Sequence, residues 1–330
     1  MDRVSARAPG FAKALRERLR GEVREAEPLA RYSTYRIGGP ATVVLPAGPE
    51  DVGTALHTAH ESGVPWFALG LGSNILLPDD GLDALVIRMG KGLDHLRQEG
   101  GEEADRWTVG AGLPAPLAAR RTAAAGFAGL HIFVGVPGSV GGGVYMNAGC
   151  HGGDWSEVVE SVTVVDQTGY VTTLSRAEVP FTYRWSGLDA RVVLEAVVRL
   201  RREEHERLEE QIAEMFEWRQ KGTPFNQPCC GSVFKNPAGP SWKRESGPRT
   251  AGQLIEAAGL KGLRVGGAEV SPMHANYFVN AQGATAADVR GLIERVQGAV
   301  ADRFGVQLEP EVKIIGSWGD YLNRNEGREQ

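Results

Sequence analysis

The residues able to do chemistry fall in short, separated stretches, and the first is Gly70-Leu71-Gly72-Ser73-Asn74, running on into Ile75. Glycine has no Cβ, so its backbone N–H can approach an anion closely, and successive N–H groups in a turn make a nest for phosphate. Ser73 and Asn74 add side-chain donors. The spacing is not a Rossmann fingerprint, because Ile75 stands where the third glycine belongs, and it is not a Walker A loop. Taken alone, these residues also read as an ordinary turn. The second stretch begins at Gly135-Val136-Pro137-Gly138-Ser139, continues through Gly141-Gly142-Gly143 and runs into Tyr145-Met146-Asn147-Ala148-Gly149. So many glycines lose much backbone entropy on folding. That cost points either to very tight packing or to close approach of a ligand. Two such loops in one domain can hold a pyrophosphate between them, so a dinucleotide site stands beside a purely structural reading.

Three further stretches carry single reactive groups. Arg184, in Phe181-Thr182-Tyr183-Arg184-Trp185-Ser186, can grip a carboxylate with a bidentate fork or lie on the surface stacked on an aromatic ring. Ser232, in Cys230-Gly231-Ser232-Val233-Phe234-Lys235-Asn236-Pro237, is not a nucleophile elbow, since no glycine follows two residues on. Its hydroxyl is a proton donor or a structural group. Glu311, in Glu309-Pro310-Glu311-Val312-Lys313, can orient or protonate a substrate group, or simply end a strand. His57 and His60 lack further ligands and read as surface residues. Cys150, Cys229 and Cys230 have no CxxC spacing, so neither a zinc site nor a disulfide framework follows, and no metal is expected. This cysteine usage suits a reducing cytoplasm.

The elements that must position these groups can be read in order. Residues 11–27 pattern as an amphipathic helix with Phe11, Leu15 and Leu19 on one face, a surface-packed N-terminal extension. Residues 34–46 have β-rich ends around Gly38-Gly39. A helix starts at Pro49, with Glu50 and Asp51 suited to its positive end, and stops at Gly63. Short strands over 64–70 and 82–89 follow, which puts the Gly70 loop at a strand's C-terminal end. Strand 107–112, a helix over 114–126, a hairpin over 161–174 turning near Gln167-Thr168-Gly169, and strand 191–200 make up the middle. A helix over 201–220, with Leu208, Ile212, Met215 and Phe216 as its apolar face and a solvated charged face, marks a domain boundary. A short helix over 251–259 precedes a last helix starting at Thr285. Asp288 is its capping partner, Val289, Leu292, Ile293, Val296 and Val300 line its buried side, and Gly305 ends it. Strand 311–317 closes the pattern.

The chain's 330 residues suit about two or three packed domains. Its net charge of -5 offers no broad basic field, so nucleic acid is not the expected partner. The N-terminus has no apolar h-region and does not read as a secretory signal. Thr122–Gly153 carries no Asp, Glu, Lys or Arg, but its ten glycines, Pro137 and Asn147 exclude a lipid-exposed helix. It reads as buried glycine-rich loops, and no membrane partner is expected.

These features occur in the order of one family. TYRIGGPA (34–41), GLGSNILL (70–77), GVPGSVGG with VYMNAG (135–149), FTYRWS (181–186), GSVFKNP (231–237), AGQLIEAAGLKG (251–262) and LEPEVKIIG (308–316) together resemble the UDP-N-acetylenolpyruvoylglucosamine reductases, over roughly residues 30–316. One motif is weakly specific; all of them in register are highly specific. The resemblance implies an α+β fold: an FAD-binding domain of vanillyl-alcohol-oxidase (PCMH) type in two subdomains, plus a C-terminal α+β substrate domain. The corresponding boundaries are 1–29 for the N-terminal extension helix, 30–203 for the FAD-binding domain (about 30–80 and 81–203), 204–311 for the substrate domain, and 312–330 for a strand returning to the first subdomain, with a tail.

It also implies a cytoplasmic, monomeric enzyme of peptidoglycan precursor synthesis that uses FAD, takes NADPH as co-substrate and acts on a UDP-sugar. NADPH reduces the flavin; flavin N5 then gives hydride to C3 of the enolpyruvyl ether, and Ser232 protonates C2. Arg184 and Glu311 match the groups that stabilise the enolate. Gly70, Leu71, Gly72, Ser73, Asn74, Ile75, Gly135, Val136, Gly138, Ser139 and Gly142 match the FAD-binding segments, with Arg219 and Lys313 as additional flavin or phosphate contacts. Tyr183 and Asn236 match substrate-contacting positions, and Lys235, Lys221 and His274 are assigned to the UDP side. The chain departs from the pattern in its first 30 residues and its tail. It also lacks the tyrosine-bearing substrate loop after Ser186, has Cys229-Cys230 before Gly231, and carries a loop over 238–250 expected beside the site. Two rivals remain: an FAD oxidase of the same fold, which has no need of GSVFKNP or LEPEVKIIG, and a non-enzymatic nucleotide-binding module, which does not require Arg184, Ser232 and Glu311 to converge.

Overall fold

The structure, a computed structural model, describes residues 5–101, 104–237 and 250–316. All but the last residue of the loop expected over 238–250, and the tail over 317–330, lie outside the described residues. The first helix, α1 (Pro9–Arg18), buries Phe11, Ala12 and Leu15. It stops well short of residue 27. Residues Glu22–Pro28 form strand β1 instead, antiparallel to β2 (Pro40–Leu45) in the register Glu22↔Leu45 to Pro28↔Pro40. The Glu, Arg and Ala of this segment favour helix as isolated residues, but tertiary pairing overrides that preference. The break is set at Gly21, where a Cβ would lie 2.2 Å from the Leu45 carbonyl oxygen. The buried Asp51 carboxylate then accepts the backbone N–H groups of Arg20, Gly21 and Ala47 at 3.0, 2.8 and 2.8 Å.

Helix α2 (Pro49–Glu61) begins with Pro at its first position and Glu50 and Asp51 in the first turn. Strands β3 (Trp66–Leu69), β4 (Ile75–Leu76) and β5 (Leu85–Arg88) follow. The first sheet has the order β1-β2-β5-β3, with β2, β5 and β3 parallel. The Gly70 loop therefore leaves the C-terminal end of a parallel strand.

The second subdomain comprises β6 (Leu96–Glu99), β7 (Arg106–Gly110), α3 (Ala115–Ala124), β8 (Phe127–Ala128), α4 (Val140–Met146), β9 (Gly149–Cys150), β10 (Gly153–Asp154), β11 (Val159–Asp166), β12 (Val171–Ser175), β13 (Arg191–Arg199) and β14 (Arg201–Arg202). Its antiparallel sheet runs β12-β11-β13-β7-β6. The glycine run is not all loop: Gly141, Gly142 and Gly143 lie in α4, despite their poor helix propensity. Packing holds them there. A Cβ on Gly141 would sit 2.7 Å from the Ala111 Cβ, and one on Gly143 2.3 Å from the Trp155 indole nitrogen. Among the described residues no helix is long and apolar enough to cross a membrane.

Helix α5 (His205–Gly222) starts later than its charge pattern implies, because Arg201 and Arg202 pair with β8. Of its apolar face only Leu208 is fully buried; Ile212, Met215 and Phe216 are half-buried. The C-terminal unit contains β15 (Cys229–Ser232), α6 (Ala251–Ala257), β16 (Arg264–Val265), β17 (Ala268–Val270), β18 (Tyr277–Asn280) and α7 (Ala286–Phe304), with an antiparallel sheet β15-β18-β17-β16. Thr285 and Asp288 cap α7 reciprocally, and Val289, Leu292, Ile293, Val296 and Val300 are buried. Asp79, from the first subdomain, also accepts the Ala286 N–H at 2.9 Å. A last strand, β19 (Lys313–Ile314), pairs in parallel with β4, and Ile315 joins the core around Leu69, Leu77 and Val86. That return brings Glu311 to the Gly70 loop.

Candidate active site

The three units enclose a cavity of about 1320 Å³. Ligand pockets commonly hold about 300–1,000 Å³, so this one has room for a dinucleotide and a second molecule. The Gly70–Ile75 loop lines it together with Val136–Ser139 and Gly141–Gly143. The two loops touch. Ser73 Oγ donates to the Pro137 carbonyl at 2.9 Å, and a Cβ on Gly70 would meet Ser139 Oγ at 2.4 Å. Ser139 Oγ in turn accepts from the Gly142 N–H, capping α4. Gly72 has φ +65°, and a Cβ there would lie 2.0 Å from the Tyr32 carbonyl oxygen. Only glycine fits that position. The result is a cradle floored by backbone, with hydroxyls at its seam.

At the far side of the cavity the last strand segment and the 181–186 turn meet. Thr182 and Trp185 pair across a tight turn whose inner residues are Tyr183 and Arg184. Arg184 sits at φ +59°, a left-handed conformation that costs an L-residue about 1–2 kcal/mol. Its Nε donates to Glu311 Oε1 at 2.9 Å and its Nη2 to the Gly149 carbonyl at 3.3 Å. Both side chains of the pair are less than one-fifth exposed. Burial pushes the Glu311 carboxyl above the usual glutamate range; Arg184, Lys235 and Lys313 pull it back only in part. The segment carrying Glu311 is held against β15: Glu311 N–H donates to the Val233 carbonyl at 2.7 Å and Lys235 N–H to the Glu309 carbonyl at 2.9 Å. Asn74 Nδ2 donates to the Glu311 carbonyl at 3.2 Å, which ties this group to the cradle.

Ser232 enters the cavity through a β-bulge. In the β15–β18 pairing Cys229 opposes Val279 and Ser232 opposes Tyr277, so β15 carries one extra residue. Gly231 takes up the irregularity at φ +77°. Such a bulge re-aims the side chain that follows it. Ser232, Gly231, Cys230 and Tyr277 all line the cavity.

Most of the residues singled out in the sequence reach this wall: Gly70, Leu71, Gly72, Ser73, Asn74, Ile75, Val136, Gly138, Ser139, Gly142, Arg184, Arg219, Ser232, Glu311 and Lys313. Gly135 stands behind it. Its carbonyl accepts from Arg219 Nε at 2.9 Å and steers that guanidinium. Five residues assigned to the substrate are not in the wall. Tyr183 is about half exposed, with the Arg184 guanidinium 4.8 Å from its ring centroid. Lys235 pairs with Glu309, and Asn236 Oδ1 accepts from the Ala251 N–H at the start of α6. Lys221 pairs with Glu217 on the exposed face of α5, and His274 Nδ1 accepts from the Asn276 N–H at 3.1 Å. Tyr145 and Trp185, from the flagged stretches, also line the cavity, as do Trp66, Phe67 and Ala68 of β3 and Asp189–Val193, which no motif marked. The half-buried strand leading straight into the glycine loop was the available signal. No three His, Cys, Asp or Glu residues among those described are grouped to hold a metal ion.

Comparison with known proteins agrees with this geometry. A family profile described as "FAD binding domain" matches residues 40–175, and one described as "UDP-N-acetylenolpyruvoylglucosamine reductase, C-terminal domain" matches residues 223–315. The chain is 41% identical over 306 residues to the UDP-N-acetylenolpyruvoylglucosamine reductase of Bacillus velezensis, covering 92% of this chain and 97% of that protein. It is 40% identical over 306 residues to that of Bacillus subtilis, with the same coverage. The crystal structure of the Thermus caldophilus reductase superposes with a TM-score of 0.76 at 33% identity, covering 90% of this chain and all of that one. The cradle fits an FAD pyrophosphate: its backbone is bare of side chains at Gly70, Gly72, Gly138 and Gly142, and Ser73 and Ser139 sit at the seam. The α+β architecture, the FAD-binding domain and the matched sequences identify the chain as an FAD-dependent oxidoreductase belonging to the UDP-N-acetylenolpyruvoylglucosamine reductase family.

Proposed function

We propose that this chain uses NADPH, through FAD, to reduce UDP-N-acetylenolpyruvoylglucosamine to UDP-N-acetylmuramate, a cytoplasmic step of peptidoglycan precursor synthesis, and that it works as a monomer. The observation that carries this reading is the convergence of Arg184, Glu311 and Ser232 on the cavity that holds the glycine cradle. The chemistry supplied by bound FAD is hydride transfer, from NADPH to N5 and from N5 to C3 of the enolpyruvyl group. The chain's own residues manage the charge this creates. Negative charge develops at C2 and spreads onto the adjacent carboxylate. Arg184 lies ready to bind that carboxylate, and an oriented cation in a water-poor site is worth far more than in water. Burial raises the Glu311 pKa, and a substrate carboxylate beside it would raise it further, while Arg184 offsets the charge of both. Ser232 gives its proton to C2. A hydroxyl is a weak acid, but transfer to an enolate carbon has a large driving force.

Neither the Tyr183 and Asn236 substrate contacts nor the Lys235, Lys221 and His274 contacts expected for the UDP side are among the residues that line the cavity. Arg219 and Lys313, which line it, are the better candidates for the phosphates of either nucleotide. The purified protein is expected to be yellow, and anaerobic NADPH is expected to bleach its flavin spectrum. A colourless protein that added FAD cannot reconstitute overturns the proposal.

A further inference from the structure

Asn147 has no place in the chemistry above, yet its side chain is tied to the turn that carries Arg184. It is 1% exposed and closes α4 in a left-handed conformation, φ 42° and ψ 54°. Asn tolerates that conformation better than most residues. Its Nδ2 donates to the Thr182 carbonyl at 3.0 Å and to Asp154 Oδ2 at 3.2 Å, and its Oδ1 accepts from the Ser156 N–H at 3.0 Å. Thr182 is the first residue of the turn that forces Arg184 to φ +59°. Two residues beyond Asn147, the Gly149 carbonyl accepts from Arg184 Nη2. The strained turn is therefore held at its base by Asn147 and at its tip by Gly149.

The bonds to the backbone are not needed to satisfy it. Ser156 N–H also donates to Asp154 Oδ1 at 3.0 Å, and the Thr182 carbonyl also accepts from the Trp185 N–H at 3.2 Å. Removing the Asn147 amide leaves neither backbone group unpaired, so what it adds is fixed geometry. The other end of α4 is capped by Ser139, at the seam of the glycine cradle. Its seven residues span about 10 Å. We propose that Asn147 is a positioning residue, which sets the Arg184–Glu311 pair relative to the cradle through the Thr182 carbonyl.

The inference rests on Arg184 as the group that meets the substrate carboxylate. Holoenzymes of wild type, Asn147→Gly, Arg184→Ala and the double variant separate the two. Glycine keeps the left-handed backbone and removes only the side chain. Two rates are followed anaerobically: flavin reduction by NADPH, and reoxidation by the enolpyruvyl substrate. Asn147→Gly should keep its FAD and its reduction rate while reoxidation slows on the order of 10- to 100-fold, the scale of an ångström-sized misplacement. Added to Arg184→Ala, it should slow reoxidation no further. Equal slowing of both steps, no slowing, or an undiminished effect in the Arg184→Ala background overturns the inference. Wild-type reoxidation in Arg184→Ala is a different failure: it overturns the reading of Arg184, and the inference falls with it. If Asn147→Gly does not retain FAD, Asn147→Asp keeps the acceptor for Ser156 and loses the donor to Thr182. The same split of rates is expected of it, and unchanged reoxidation overturns the proposal.

Discussion

Substituting Gly70 by alanine should weaken FAD binding only while Ser139 keeps its hydroxyl. The new Cβ would lie 2.4 Å from Ser139 Oγ, about 1 Å inside an ordinary contact. Two relaxations are open. Ser139 can rotate, which gives up its cap on the Gly142 N–H and costs about 0.5–2 kcal/mol. Alternatively the loops can part, an overpacking response of about 1–3 kcal/mol that spoils the cradle for a pyrophosphate. Across the two routes Gly70→Ala should raise the FAD dissociation constant by roughly 2- to 150-fold. In a Ser139→Ala background the clashing oxygen is gone, and the nearest atom becomes the residue 139 Cβ at 3.5 Å, an ordinary separation. There the same Gly70→Ala change should cost less than about twofold. Titration of the four apoproteins with FAD, followed by flavin fluorescence, measures all sides of this cycle. A Gly70→Ala penalty of equal size in both backgrounds would refute the claim that the two glycine loops meet at this seam.

Three other outcomes follow from the site. Ser232→Ala should leave flavin reduction by NADPH intact and slow reoxidation by substrate by about 10² or more, as for a lost acid catalyst; rapid-mixing absorbance at the flavin bands reads both, and equal slowing excludes Ser232 as the donor. Glu311 has a raised folded pKa, so its contribution to stability is full below the unfolded glutamate value and is lost as pH rises through the folded one. Thermal unfolding of the apoprotein should therefore show Glu311→Gln gaining on wild type as pH rises above the unfolded glutamate pKa of about 4.3, and a gap that does not change with pH contradicts the burial argument. Lys221→Ala should leave KM for the enolpyruvyl substrate unchanged, because Lys221 is exposed and paired with Glu217 at 2.6 Å; a several-fold rise restores it to the substrate site.

How legible each part was depended on how local its causes are. The helix from Pro49 carries its proline start and acidic first turn within a few residues, that from Thr285 its reciprocal cap and apolar periodicity, and both form as read. Residues 22–27 do not. Their Glu, Arg and Ala favour helix, while the pairing with β2 and the Asp51 clamp that make them a strand come from residues far along the chain. The glycines of α4 form a helix for a similar reason, since Ala111 and Trp155 leave no space for side chains there. Asp79 capping α7 spans 207 residues and left no trace in the sequence. Within the site, Arg184, Ser232 and Glu311 were marked by their motifs. Tyr277 reaches the cavity only through its cross-strand register with Ser232, which no linear pattern displays. Lys235, Asn236, Lys221 and His274 have side chains suited to a nucleotide, but Glu309, the start of α6, Glu217 and the Asn276 N–H engage them first.

One measurement bears most directly on the function. The flavoprotein is reduced with one equivalent of NADPH without oxygen, and UDP-N-acetylenolpyruvoylglucosamine is then added. The oxidised flavin spectrum is expected to return as the enolpyruvyl ether is consumed and UDP-N-acetylmuramate forms in equal amount. A flavin that NADPH reduces but this substrate leaves reduced, while oxygen restores it, would contradict the reductase and favour an oxidase on the same fold.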